Sequence, residues 1–106
     1  MKVIENGPNI SFVHEHGQAE GLLLPNASHC IFIHSSSVDY QQRNKGLGKT
    51  YHQERLDWIK KQGYITDAFC LVYNGNTAEE KIMECHGWKK VDITGLGVMT
   101  MYHKII

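Results

Sequence analysis

Residues 38–50 read VDYQQRNKGLGKT, and the closing Gly48-Lys49-Thr50 is how a nucleotide-binding P-loop ends. That loop requires Gly-x-x-x-x-Gly-Lys-Ser/Thr, with a glycine five residues before Gly48. Arg43 holds that position, and no acid suited to a bound magnesium stands at the end of an obvious next strand. The dinucleotide fingerprint GxGxxG fails as well. After Gly46-x-Gly48 its third glycine would fall on Tyr51, too large for close packing of helix on strand. A more general phosphate cradle survives. Gly46 and Gly48 permit positive φ and close approach, a starting helix aims N–H groups one way, and Arg43, Lys45 and Lys49 add charge. A plain strand-to-helix connection shaped by the same glycines fits the loop equally well.

From Gly48 to Gln62 the chain takes a helical period. At about 100° per residue, Lys49, Thr50, Gln53, Glu54, Asp57, Lys60 and Lys61 share one polar arc, leaving Leu47, Tyr51, Leu56, Trp58 and Ile59 to the other side. Gly63 supplies the stop. Upstream, residues 29–34 (HCIFIH) read as a buried strand continuing to Val38. Residues 10–16 and 19–24 flank Gly17-Gln18 as a tight antiparallel hairpin, and Lys2 to Glu5 form a first strand closed by Asn6-Gly7-Pro8. Downstream, residues 64–73 (YITDAFCLVY) read as a strand. Asn76, with Glu79 three residues on, caps a helix from Thr77 to His86 that ends at Gly87, and residues 88–93 and 98–103 form two last strands. The order β-β-β-β-α-β-α-β-β predicts an α+β fold: a mixed, mostly antiparallel sheet with one central parallel crossover.

The bulk properties narrow the function. A chain of 106 residues supports one domain, 1–106. Eleven basic and eleven acidic side chains cancel, so no long-range field gathers nucleic acid or an anionic membrane. Cys30, Cys70 and Cys85 are odd in number, form no CxxC pair and sit in apolar segments, which predicts reduced core thiols in a cytoplasmic protein. No apolar run approaches the roughly 20 residues that span a bilayer. Of seven histidines, His14 and His16 would share a strand face, yet HEH lacks the spaced third ligand of HExxH, and no metal is expected. Adjacent Cys85-His86 on a helix point apart, and Ser35 to Ser37 lack a GxSxG elbow.

The segment Val38 to Gly48 resembles motif A of the GNAT superfamily of N-acetyltransferases, Gln/Arg-x-x-Gly-x-Gly/Ala, here Arg43-x-x-Gly46-x-Gly48 with a strand valine five residues earlier. Asn76, followed eleven residues later by Gly87-Trp88, is similar to the family's next helix and its Gly-Phe/Trp ending. Val13 to Gly21 resembles the family's acidic hairpin. The motifs stand in register with the expected elements over residues 10–104.

The resemblance implies acetyl-coenzyme A as co-substrate. Its pyrophosphate would lie on the backbone amides of Asn44, Lys45, Gly46, Leu47, Gly48 and Lys49, with Arg43 beside them. Two central strands would splay, and the pantetheine arm would bond the exposed backbone near Val38 as an added strand does. Asn76 would contact the arm, and it also reads as a helix N-cap. An acceptor amine, on a small molecule or a protein, would attack the thioester directly. His34, four residues before Val38 and so expected on the same strand face, is the candidate general base. The family's usual acid is a tyrosine in the helix before Gly87-Trp88, where this chain has Met83, which donates no proton. Tyr73, Cys85 or a water takes that task, or the thiolate leaves unassisted. Residues 1–9 are too few for the two helices that usually wall the acceptor pocket, so the acceptor side is expected to be open or closed by a second subunit of a homodimer. The alternative function is a non-catalytic acyl-coenzyme A-binding or interaction module on the same fold.

Overall fold

The computed structural model describes residues 1–106. Seven strands and two helices follow in the predicted order: β1 Lys2–Asn6, β2 Asn9–His14, β3 Gly17–Leu24, β4 Ala27–Val38, α1 Leu47–Gln62, β5 Asp67–Tyr73, α2 Thr77–Cys85, β6 Lys89–Val91 and β7 Met99–Ile105. One sheet holds them in the order β1-β2-β3-β4-β5-β7-β6, antiparallel everywhere except between β4 and β5. Both crossovers, β4 to β5 through α1 and β5 to β6 through α2, step toward the same edge. Right-handed connections therefore place both helices on one face, where they pack against each other.

Between that face and the helices lies the core. Phe12, Ile31, Ile33, Ala68, Val72 and Tyr102 of the sheet meet Leu56 and Ile59 of α1, Met83 of α2 and Trp88. Burying each large member stabilises the fold by about 1.5–3 kcal/mol. The predicted polar arc of α1 faces solvent except at Glu54, which is half-buried. The opposite side buries His52 and Arg55 as well as Tyr51, Leu56 and Ile59. Gly63 ends the helix at φ 77°, the left-handed conformation that glycine adopts without a Cβ penalty.

Three readings change. The hairpin turns at Glu15-His16, because His14 pairs with Gly17. Gly17 is wanted inside the strand: a Cβ there would lie 2.5 Å from the Ser37 carbonyl oxygen and 3.1 Å from the Tyr51 ring. Its glycine serves close approach, and neither turn residue needs positive φ. Second, β4 carries a bulge. Glu20 pairs with His34 but Gln18 with Ser37, and Ser35 sits at φ 53°. One extra residue reverses the alternation of faces, so Ser36 and Val38 turn toward α1 while His34 stays on the opposite face. The expected shared face of His34 and Val38 is not formed. Third, only Cys70 of the three free thiols is buried; Cys30 is half-buried and Cys85 exposed.

Candidate functional site

The parallel ladder between β4 and β5 runs only from Cys30/Asp67 to Ile33/Cys70. Beyond it both strands continue, β4 held by β3 as far as Gly17/Val38 and β5 held by β7 as far as Tyr73/Met99. Each arm keeps an outer partner while the inner edges part, leaving a V-shaped gap. The predicted splay is present.

The N-terminus of α1 stands at the mouth of this gap. Gly46 is its N-cap at φ 76° and contributes no side-chain cap, and Asn44 precedes it at φ 65°, a conformation asparagine tolerates. The first helical bond is Thr50 N–H to the Gly46 carbonyl at 3.2 Å. None of the six N–H groups from Asn44 to Lys49 donates to a protein acceptor. Six unbonded amides at the positive end of a helix dipole are the arrangement that an anion-binding site would use. Gly48 keeps it open, since a Cβ there would come within 3.2 Å of Ile82 on α2.

A cleft of about 480 Å³ runs from these amides along the free arm of β4 to α2. Ser36 to Val38 form one wall, the loop from Gln42 to Lys49 another, and Asn76, Glu79 and Ile82 a third. Every predicted cofactor residue except Lys45 lines it. Lys45 bonds Gln42 through its ammonium at 2.9 Å. Arg43 already has work: its Nε donates to the Val38 carbonyl at 3.0 Å and its guanidinium lies 5.5 Å from the Tyr40 ring centroid, which secures the end of β4. The Asn76 side chain accepts from Glu79 N–H at 3.3 Å, so its capping role is met. His34 lies outside the cleft, half-buried, stacked on Phe32 and 3.0 Å from Ser35 Oγ. Met83 is 0% exposed and faces the core. Tyr73, at 62% exposure, ends β5.

Sequence reading missed a polar network beneath the cleft. Arg55 is 3% exposed and donates to His14 Nε2 at 3.1 Å and Ser36 Oγ at 3.2 Å, while its Nε has no partner. A guanidinium only donates, so His14 Nε2 must be the acceptor. Its single proton then sits on Nδ1, 3.2 Å from Glu54. Burial first, then Arg55, lowers the His14 pKa and keeps the ring neutral. The network pins Ser36 toward α1, on the arm of β4 that leaves β5. Glu79, on the cleft wall, has its carboxyl pKa raised by burial against the pull of Arg55. No local pattern marks these residues, because Arg55 meets partners 41 and 19 positions away.

No family model matches the chain. Over 49 residues it is 33% identical to Protein SPT10 of Saccharomyces cerevisiae, a match covering 46% of this chain and 8% of that protein. Solved structures share its architecture throughout. The ribosomal-protein-S18-alanine N-acetyltransferase of Escherichia coli superposes with a TM-score of 0.77 at 16% identity, covering 96% of this chain and 72% of that one. An N-acetyltransferase of Thermoplasma acidophilum in complex with coenzyme A gives 0.72 at 18% identity, over 92% of this chain and 60% of that one. The mixed seven-stranded sheet, with its single parallel pair opening into a gap, is the GNAT N-acetyltransferase fold.

Proposed function

We propose that the cleft binds acetyl-coenzyme A and that the chain, a single cytoplasmic domain, transfers the acetyl group to an amine. The observation that carries this reading is the row of six unbonded amides from Asn44 to Lys49 at the mouth of the β4/β5 gap. Those amides and Lys49 would hold the pyrophosphate. The unpaired inner edge of β4 would receive the pantetheine amides, with Asn76 and Glu79 on the facing wall. The acceptor would approach from the sheet face away from the helices, where half-buried Leu22, Phe32 and Leu71 surround the gap's closed end. His34 lies on that face. It would take the proton as the amine nitrogen bonds the acyl carbon and the carbon–sulfur bond breaks.

The coenzyme complex of the Thermoplasma structure supports the cofactor assignment. In a thermal-shift assay, acetyl-coenzyme A should raise the melting temperature, and Gly48→Trp, whose ring would fill the cleft, should abolish the rise. No shift at millimolar ligand refutes the binding site. Thiol release with a panel of amines then reads transfer. His34→Ala should lower kcat by about 10²–10⁴-fold with little change in melting temperature. Unchanged turnover removes His34 as base. The second reading, a non-catalytic acyl-coenzyme A module, is favoured by the buried thioether of Met83 where an acid would serve. Ligand-induced stabilisation without thiol release for any amine selects it.

A further inference from the structure

At the closed end of the parallel pair, away from the gap, three side chains of different chemistry converge. Cys30 and Asp67 are register partners across β4 and β5, and His29 precedes Cys30. One ligand atom from each, the Cys30 sulfur, a His29 ring nitrogen and an Asp67 carboxylate oxygen, lies within 4.8 Å of the other two. A third strand contributes His103, whose Nε2 stands 2.7 Å from Asp67 Oδ1, while the Thr66 hydroxyl donates to Oδ2 at 2.6 Å. The carboxylate is thereby fixed in orientation from both sides. The backbone is fixed too, since Thr66 N–H donates to the His29 carbonyl at 2.8 Å.

We propose that His29, Cys30 and Asp67 form a zinc site that clips β4 to β5. Thiolate, imidazole and carboxylate together suit zinc, whereas magnesium and calcium demand oxygen donors alone. Tetrahedral coordination at Zn–N and Zn–S lengths needs ligand atoms about 3.5 Å apart, so the three must draw in by roughly 1 Å. His29 is exposed and free to turn, which puts the adjustment on the least constrained ligand. A water would complete four-coordination, and His103 would act as the hydrogen-bonded partner that orients a ligating carboxylate. Metal displaces the thiol proton, so the Cys30 S–H bond is replaced by S–Zn and one proton leaves to solvent.

Three residue steps along the ladder separate this cluster from the last β4/β5 pair, a span of about 10 Å, so the site is distinct from the cleft. The test uses the whole chain, stripped with chelator and reduced. Zinc titration by calorimetry should give one equivalent at micromolar affinity or tighter, and cobalt(II) should show thiolate-to-metal absorption. Cys30→Ser should abolish that absorption, His29→Ala should weaken zinc binding at least tenfold, and Cys85→Ser should change neither. His29 is exposed, so its alanine variant keeps the fold, and the metal-free melting temperature checks Cys30→Ser. Absence of the cobalt band, or zinc affinity unaltered in both His29→Ala and Cys30→Ser, overturns the site. Acetyl-coenzyme A binding is read separately, so either assignment can fail alone.

Discussion

Acidification should destabilise this protein through one buried histidine. His52 on α1 is 2% exposed, and its Nε2 accepts the indole N–H of Trp88 at 2.9 Å. The ring's only proton is therefore on Nδ1, and a second would have to displace the tryptophan bond. Burial, followed by the charges of Arg55, His86 and Lys104, lowers the His52 pKa from 6.5 to about 3. The unfolded chain takes up a proton near 6.5 and the folded one only near 3, so the unfolded state binds more protons in that window. Stability is whole above about pH 6.5 and is lost as pH falls through it. At about pH 5 the unfolded state has gained roughly 1.5 pH units of protonation free energy, or about 2 kcal/mol at 1.36 kcal/mol per unit. Near pH 3 the loss approaches roughly 5 kcal/mol. The assay is urea unfolding of the wild type and His52→Gln at about pH 7.5 and 5, since glutamine can still accept from Trp88 and does not titrate. The wild type should lose about 2 kcal/mol more than the variant between the two pH values. His14, also lowered, remains in both proteins, so the difference isolates His52. Equal losses in the two proteins refute the reasoning.

Arg55→Ala removes two bonds from a charged donor, worth about 1.5–3 kcal/mol each, and leaves His14 Nε2 buried without a partner, offset by release of a charge whose Nε was already unsatisfied. A net loss of about 3 kcal/mol in chemical unfolding is expected, with Arg55→Met recovering part of it; a change under about 1 kcal/mol counts against the network. Gly17→Ala should cost about 2 kcal/mol or more, because its methyl meets the Ser37 carbonyl oxygen at 2.5 Å, whereas a hairpin turning at Gly17 would accept alanine at small cost. An unchanged melting temperature returns Gly17 to a turn role.

Features set by neighbours in sequence were legible, and those set across the sheet were not. The helical period from Gly48 to Gln62, the Asn76 cap and the left-handed turn at Gly46 are local, and each is found as read. Element order follows from them, since periods and stops suffice to separate strands from helices. The Ser35 bulge is different: three serines carry no alternation to break, so nothing in Ser35 to Ser37 announces that the face reverses. That silence is why His34 and Val38 were expected together. Nothing in the helical period singles out Arg55 or His52, and only strands and loops tens of residues away explain their burial. Gly17 was misread for the same reason, because the crowding that selects glycine comes from Tyr51 and Ser37.

Main-chain bonding divides the sheet into two leaves, β1 to β4 and β5, β7 and β6, stitched by four residue pairs from Cys30/Asp67 to Ile33/Cys70. Each leaf is zipped within itself by antiparallel rungs, so the seam is where cooperativity between them is thinnest. Amide exchange should accordingly be slow inside each leaf and fastest along the two bare margins, His34 to Val38 and Leu71 to Tyr73. A guest lying between those margins would supply the rungs that the chain leaves unfinished, and its arrival would register as slowed exchange in both leaves together.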